Sequence, residues 1–450
     1  TQVVIAQNAQ ADAENQRNIA LARHLVSQAQ MLFSNEKSKQ HLATLLAIQA
    51  FTMLPTSETT FILQNNSVAR QVIALTHNAD VNAIAFSSNG KYIASASSDE
   101  TIRVFNLETE KEIIINQDSS VNSIAFSPDG NYLVAGGGYD TSLGGTGIRK
   151  AVNETLNNKS IRVWDVETGK EVSRVASNDL VTSVAFSIDG KYIISGSLDK
   201  NVLIWDIANR REVIHMIHDD GVISVAVSPE GKYIASGSKD NTIQIWEFSS
   251  GNQITHMTCN GDVSTMAFSA DGHHLAAGCS DGSVYVWETG SWKELIHALH
   301  DGGVTSVAFD PNGENVISGS NDNTARIWSL QNKQEIVRIT HDGDVYAVAF
   351  SSDGKFAISG SNDKTARIWS ANNGQAVSTI THDGAVKAVA FLPGTSHYAI
   401  SGSADNTLRL WDYNLNYGAH DGAVNSVRIS QNGEYIISAG DDKTIRIWNA

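Results

Sequence analysis

From about residue 68 onward, apolar residues come in runs of five or six with the period of a strand, separated by turn residues. One unit, His341 to Ser370, reads HDGDVYAVAFSSDGKFAISGSNDKTARIWS. In it Val345, Ala347 and Ala349 alternate with Tyr346, Val348 and Phe350, a short run that is apolar on both faces. Ser351-Ser352-Asp353-Gly354 is a turn, because Asp and Gly tolerate the positive φ it needs. Phe356 to Ser361 is a second strand, Asn362-Asp363-Lys364 another turn, and Thr365 to Trp369 a third strand rich in β-branched and aromatic residues. A polar stretch and one more short strand lead to the next unit. Sheets this small and apolar on both faces must pack against neighbours. Closing the row into a ring removes the exposed edges.

The unit repeats. Trp164, Trp205, Trp246, Trp287, Trp328 and Trp369 follow one another at intervals of 41 residues, then Trp411 after 42 and Trp448 after 37. Phe105 fills the equivalent place 59 residues before Trp164, and only Trp292 falls outside the register. Nine units therefore cover residues 68–450. Each complete unit opens with His and places Asp in its second turn. His77, Asp99 and Phe105 begin the series. The full sets are His218, Asp240, Trp246; His300, Asp322, Trp328; His341, Asp363, Trp369; His382, Asp405, Trp411; and His420, Asp442, Trp448. His and Asp are 22 residues apart in all but one, where the interval is 23.

This text resembles the WD40-repeat family of β-propellers. The resemblance implies an all-β propeller in which His, Asp, a strand Ser and Trp form a hydrogen-bonded set tying the loops on one rim of each blade. Repetition around a ring makes these sets a building rule, not active sites or metal ligands. Zinc needs three or four ligands converging within about 2.3 Å, whereas a ring spreads these histidines apart. Three units depart, with Gln117, Ser177 and Cys259 in the His place, and Asn158 stands where the second unit's Asp belongs. In the family each unit's opening strand is the outer strand of the preceding blade. Residues 69–76 are thus expected to complete the last blade and lock a single nine-bladed ring. A seven- or eight-bladed ring with leftover repeats is the alternative.

Residues 1–67 contain no Gly and no Trp. Leu21, Leu25, Ala29 and Leu32 share one helical face, and Leu42, Leu45, Leu46 and Met53 another. Pro55 ends the second helix. The expectation is an α-helical hairpin or linker over 1–67 ahead of the propeller at 68–450, with a free coiled coil as the alternative. The text AENQRNIALARHLVSQAQ followed by LATLLAIQAFTMLPTSET resembles the joint before the propeller in large bacterial signalling proteins of the STAND NTPase and effector type. That resemblance implies a sensing or scaffolding half of a larger machine. With Thr at the first position, the chain is read as a piece of something longer or a processed form.

Composition narrows the function. The 450 residues are 41% hydrophobic and carry 32 basic and 48 acidic residues, a net charge of −16. Nucleic acid and anionic lipid need clustered Lys and Arg, so neither is an expected partner. No apolar run reaches the roughly 18 residues of a membrane span. Two Cys suit a reducing, cytoplasmic setting with free thiols, rather than a disulfide scaffold. No phosphate-binding Gly-rich loop, zinc helix motif or nucleophile elbow is present. Neither a cofactor nor a metal is expected.

Two features stand out as partner sites. The 59-residue interval holds 18 extra residues between the second and third strands of the second blade, and Tyr139, Leu143, Ile148, Arg149 and Lys150 are the candidate contacts. The His-Asp-Gly openings place Asp219, Asp301, Asp342, Asp383 and Asp421 on one rim, joined by Asp344, a negative field suited to a basic partner. Arg103, Arg162, Arg326, Arg367, Arg409 and Arg446 stand two residues before the aromatic and are expected to pair with acids between blades. The leading reading is a non-enzymatic protein-interaction scaffold or sensor that binds a partner on its rim and couples it to an upstream effector. A catalytic propeller using channel-rim acids and an oligomer-forming structural component are the alternatives.

Overall fold

The computed structural model describes residues 70–138, 159–393 and 398–413, and the backbone of the strands Val424–Ile429, Tyr435–Gly440 and Ile445–Asn449. Every element among them is a β-strand. Eight antiparallel four-stranded sheets form the blades. Blades one to seven take residues 81–116, 121–176, 181–217, 222–258, 263–299, 304–340 and 345–381. Blade eight takes three strands from 386–412 and its outer strand, Arg70–Thr76, from the other end of the chain.

Blade six shows why the sequence folds this way. Its inner strand Val304–Phe309 meets the inner strands of blades five and seven. The second strand, Asn315–Ser320, is buried along nearly its whole length, as a strand flanked by sheets on both faces must be. The outer strand Gln334–Thr340 alternates between exposed and covered positions, because the blades fan apart toward the circumference. The turn between first and second strands carries Gly313 at φ +70°. Close approach of blades demands a second glycine. A Cβ on Gly319 would stand 2.8 Å from Val345 Cγ1 of blade seven, and one on Gly237 only 2.4 Å from Val263 Cγ1 of blade five.

The core lies between blades. Ile194, Val202, Ile204 and Met216 of blade three pack on Val222, Val225, Ile234 and Trp246 of blade four. At the seam, Leu75 joins Ile400, Leu408 and Leu410 of blade eight against Ile93 of blade one. Thr182 Oγ1 donates 2.8 Å to the Val222 carbonyl, stitching blade three to blade four. Lys387 Nζ meets Asp80 Oδ2 at 2.6 Å between blades eight and one.

The expected ring of nine blades behind an N-terminal helical hairpin is corrected to eight blades, with no helix among the described residues. Residues 70–76 do close the ring, but on the eighth repeat's third strand, Thr407–Asp412, and not on the ninth's. The two candidate partners read TLRLWD and IRIWN and are chemically alike. The ninth repeat forms a three-stranded sheet of its own and falls in a separate compact unit of residues 1–70, 377–381 and 413–450. The proposed hairpin, residues 1–67, lies outside the described residues.

Candidate functional site: the histidine-bearing rim

The turn between second and third strands and the loop opening each blade meet at one rim. In blade six, His300 Nδ1 donates to Asp322 Oδ2 at 2.9 Å, Ser318 Oγ bonds His300 Nε2 at 2.7 Å, and Trp328 Nε1 donates to the same Oγ at 2.8 Å. The chain runs from indole to hydroxyl to imidazole to carboxylate, so it requires a neutral His. Asp322 also accepts from the Asp301 N–H at 3.1 Å, from the Thr324 hydroxyl at 2.6 Å and from Arg326 at 2.6 Å. Blades four, seven and eight repeat the arrangement through Ser236, Ser359 and Ser401. Blade one keeps His77, Ser95 and Asp99, with Phe105 supplying no donor.

Electrostatics agree with the geometry. Burial pushes the His300 and His218 imidazoles below their ordinary value, against the opposing pull of Asp322 and Asp240. Burial works against the Asp322 carboxylate too. The Thr324 hydroxyl, His300 and the Asp301 N–H outweigh it and hold the group well below the usual carboxylate range. Ser236, Ser318, Ser359 and Ser401 are fully buried, so these Ser–His–Asp sets meet no substrate. The sequence-derived sets of blades four, six, seven and eight are thereby brought together. Of the ninth set, His420 and Asp442 lie outside the described residues, as does the Trp448 side chain.

Three blades solve the rim differently. In blade three Ser177 stands in the His place and reaches Ser197 Oγ at 3.1 Å and Asp199 at 3.3 Å. In blade two Gln117 and Ala135 replace His and Ser while Trp164 is kept, without a hydrogen-bond chain between them. In blade five Cys259 and Cys279 form a disulfide across 20 residues of sequence. The free thiols expected from the sequence are therefore corrected to a bonded pair. Composition alone could not pair them, but their places in the repeat were a signal. Elsewhere the Ser in the Cys279 place hydrogen-bonds the opening loop, as Ser238 does to the Asp220 carbonyl at 2.9 Å. Blade five makes the same tie covalently.

The rim acids are exposed. Asp219, Asp301, Asp342 and Asp383 each donate their backbone N–H to the turn Asp of their blade at 3.0–3.1 Å, which turns their own carboxylates to solvent. Asp344 is half-buried, and Asp421 lies outside the described residues. The arginine series pairs chiefly within blades and not between them. Arg326 meets Asp322 and Glu335 of its own blade, and reaches back only to the Leu299 carbonyl of blade five. It also stands 3.8 Å from Asp301, as Arg367 does from Asp342. Blades three, four and five carry Leu203, Gln244 and Tyr285 in that place, so this sector lacks the compensating guanidinium. Ile217 and Leu299, 62% and 60% exposed, stand immediately before His218 and His300 at either end of blades four and five.

The insertion residues Tyr139, Leu143, Ile148, Arg149 and Lys150 lie outside the described residues. Its flanks, Gly138 and Lys159, are on the histidine-bearing rim, where Gly138 N–H binds the Ser120 carbonyl at 3.0 Å and Lys159 meets Asp179 at 2.7 Å. Among the described residues no group of three or more His, Cys, Asp or Glu is placed to hold a metal ion.

Five segments, 70–106, 110–144, 333–370, 374–412 and 414–449, match the WD domain, G-beta repeat. The protein is a WD40-repeat β-propeller. Residues 151–334 of the propeller match the model described as the first β-propeller of IFT122. Among solved structures, the WD40 ring is similar to the crystal structure of the computationally designed Ika8 protein, at 24% identity and a TM-score of 0.64, over 76% of this chain and 99% of that one. That likeness concerns the fold alone. No curated protein matches the chain. No helix among the described residues is long and apolar enough to cross a membrane.

Proposed function

We propose that this WD40 propeller is a non-enzymatic protein-interaction scaffold whose histidine-bearing rim binds a partner rich in Lys and Arg. One observation carries the reading. Four blades hold the same exposed carboxylate, Asp219, Asp301, Asp342 or Asp383, at the same height by the same backbone hydrogen bond. Carboxylates carried on a backbone fixed in this way meet a cationic partner at a lower ordering cost than carboxylates on a loose loop. In the sector of blades four and five the field is carried by Asp219 of blade four, with no Arg in the place that blades six to eight use, while Asn260 stands at the acid's place in blade five. Ile217 and Leu299 add exposed aliphatic surface there, which suits a protein better than a small cation.

The insertion is a second contact on the same rim, with Tyr139, Leu143, Ile148, Arg149 and Lys150 as its residues. The bound partner would be reported to an effector module upstream of the ring, in keeping with the resemblance of residues 1–67 to a propeller joint. The test is capture of partners by the full chain and by a variant with Asp219, Asp301, Asp342 and Asp383 changed to Asn. A partner held by the wild type at low salt, and lost both in the variant and at high salt, supports the reading. A partner retained by the variant refutes it. Replacing residues 139–156 by an Asn-Gly turn separates the insertion's share.

A further inference from the structure

Blade two keeps the backbone of its neighbours but not their hydrogen-bond chain. The Gln117 N–H binds the Glu100 carbonyl at 2.7 Å, as the His300 N–H binds the Gly282 carbonyl at 2.9 Å, so Gln117 occupies the histidine place. Ala135 stands opposite Ile124 and Arg162, as Ser401 stands opposite Val389 and Arg409. The guanidinium carbon of Arg162 is 6.0 Å from the Trp164 ring, against 5.9 Å for Arg409 and Trp411, so each indole lies at the same distance from its arginine.

In blade eight, Trp411 Nε1 and His382 Nε2 both meet Ser401 Oγ at 2.7 Å. In blade two the residue at that point is Ala135. Trp164 Nε1 and both amide atoms of Gln117 are buried without a protein hydrogen-bond partner. Gln117 is 5% exposed, Trp164 7% and Ala135 0%. Buried donors and acceptors left unpaired carry the full desolvation penalty, so these three atoms, on residues in the Trp and His places of one blade, call for a partner.

We propose that blade two binds a single water at the position where the other blades hold a serine hydroxyl. The ligand must accept from Trp164 Nε1–H and donate to Gln117 Oε1, and it must be the size of a hydroxyl. Water meets both conditions and bonds the amide in either orientation. Anything larger, including a partner's side chain, is kept out by the burial of all three residues. The rim under the insertion is thus held through an exchangeable molecule, where blades four, six, seven and eight use a serine of the chain.

The test is NMR on the full chain with the Trp indoles labelled with nitrogen-15. The Trp164 Nε1–H is expected to show a cross-peak to a long-lived water, and the Trp411 Nε1–H none. Ala135→Ser places the hydroxyl in the chain itself. It should abolish the Trp164 water contact, slow exchange of that indole proton at least tenfold and raise the thermal midpoint. Absence of the wild-type cross-peak overturns the proposal. So does a cross-peak unchanged in Ala135→Ser. Failure of that variant to fold would show that no hydroxyl-sized space exists and would overturn it too. A high-resolution crystal structure of the wild type, read for density between Trp164 and Gln117, decides independently of any variant.

Discussion

In blade six the opening loop is tied by His300, Asp322, Ser318 and Arg326, all buried and mutually hydrogen-bonded. In blade five the same loop is tied by the Cys259–Cys279 bond, while Ala277 and Tyr285 take the places of Ser318 and Arg326. Tyr285 there stacks on Trp287 at 5.3 Å and on His297 at 4.3 Å. The backbone does not register the difference, since both blades have the same four strands in the same order. Interblade packing sets the fold. The rim network decides how firmly each loop is held and under what conditions it lets go. The rim is therefore where sequence can vary without loss of the ring.

The comparison can be broken most forcefully at Asp322. Asp322→Ala deprives His300 Nδ1 of its carboxylate and leaves Arg326 with only Glu335 and the more distant Asp301 as acidic partners. It should cost about 3 kcal/mol in urea unfolding, the low end for breaking a buried ion pair from one side. Asp199→Ala in blade three removes only hydrogen bonds to Ser177, Asn178 and Asn201 and should cost about 1 kcal/mol. Equal losses would show that the two rims are held alike.

Next comes the disulfide. Closing a loop of 20 residues is worth about 3 kcal/mol by loop entropy. Complete reduction should lower the thermal midpoint of the wild type, and leave that of a Cys259→Ser, Cys279→Ser variant unmoved. A wild type indifferent to reductant would place the strength of blade five elsewhere.

Acid sharpens the contrast further. His77, His218 and His300 are held below the ordinary histidine value of 6.5 by burial, so the unfolded chain takes up their protons first. Stability should be complete above that value and fall as pH drops through it. Asp240, Asp322, Asp363 and Asp405 are likewise held below 3.8, so a second loss follows as pH falls through and below that value. Blade five, with Cys259 in the His place, should lose its amide protection last. Unfolding with a single step near pH 4 and none near 6.5 would show that the histidines are not load carriers. The smallest effect is expected at Lys200, a left-handed residue at φ +77°. Lys200→Gly should relieve about 1 kcal/mol, visible as a slightly raised urea midpoint.

Much of this was legible from spacing. The 41-residue interval of the tryptophans, with two turns inside it, could only be satisfied by four short strands per unit. The apolar run over residues 71–75 marked a strand in need of a sheet. Which sheet could not be read, because the third strands of the eighth and ninth repeats offer the same β-branched and aromatic pattern. The His–Asp–Trp sets were visible as letters, and burial then made them structural. Cys259 and Cys279 could be placed in one blade from the repeat, at the His place and at a second-strand Ser place, but spacing alone did not show that the loop and strand bring the two sulfurs into a bond. The arginines were expected to pair with acids between blades, whereas Arg326, Arg367 and Arg409 find their carboxylates four residues back, and Arg103 finds Glu112 on its own blade.

The strand Arg70–Thr76 is among the first parts of the described chain to be made, and its partner, Thr407–Asp412, is among the last. Roughly 330 residues must be joined end to end, at an entropic cost of about 5 kcal/mol by loop closure. Until that happens the first strand has no sheet, and blades eight and one both present open faces. A growing chain emerging from the ribosome therefore cannot finish the ring early, however soon its middle blades form. Its vulnerable period spans the synthesis of everything between these two strands, and holding assistance would be needed at the seam of the ring, not in its middle blades.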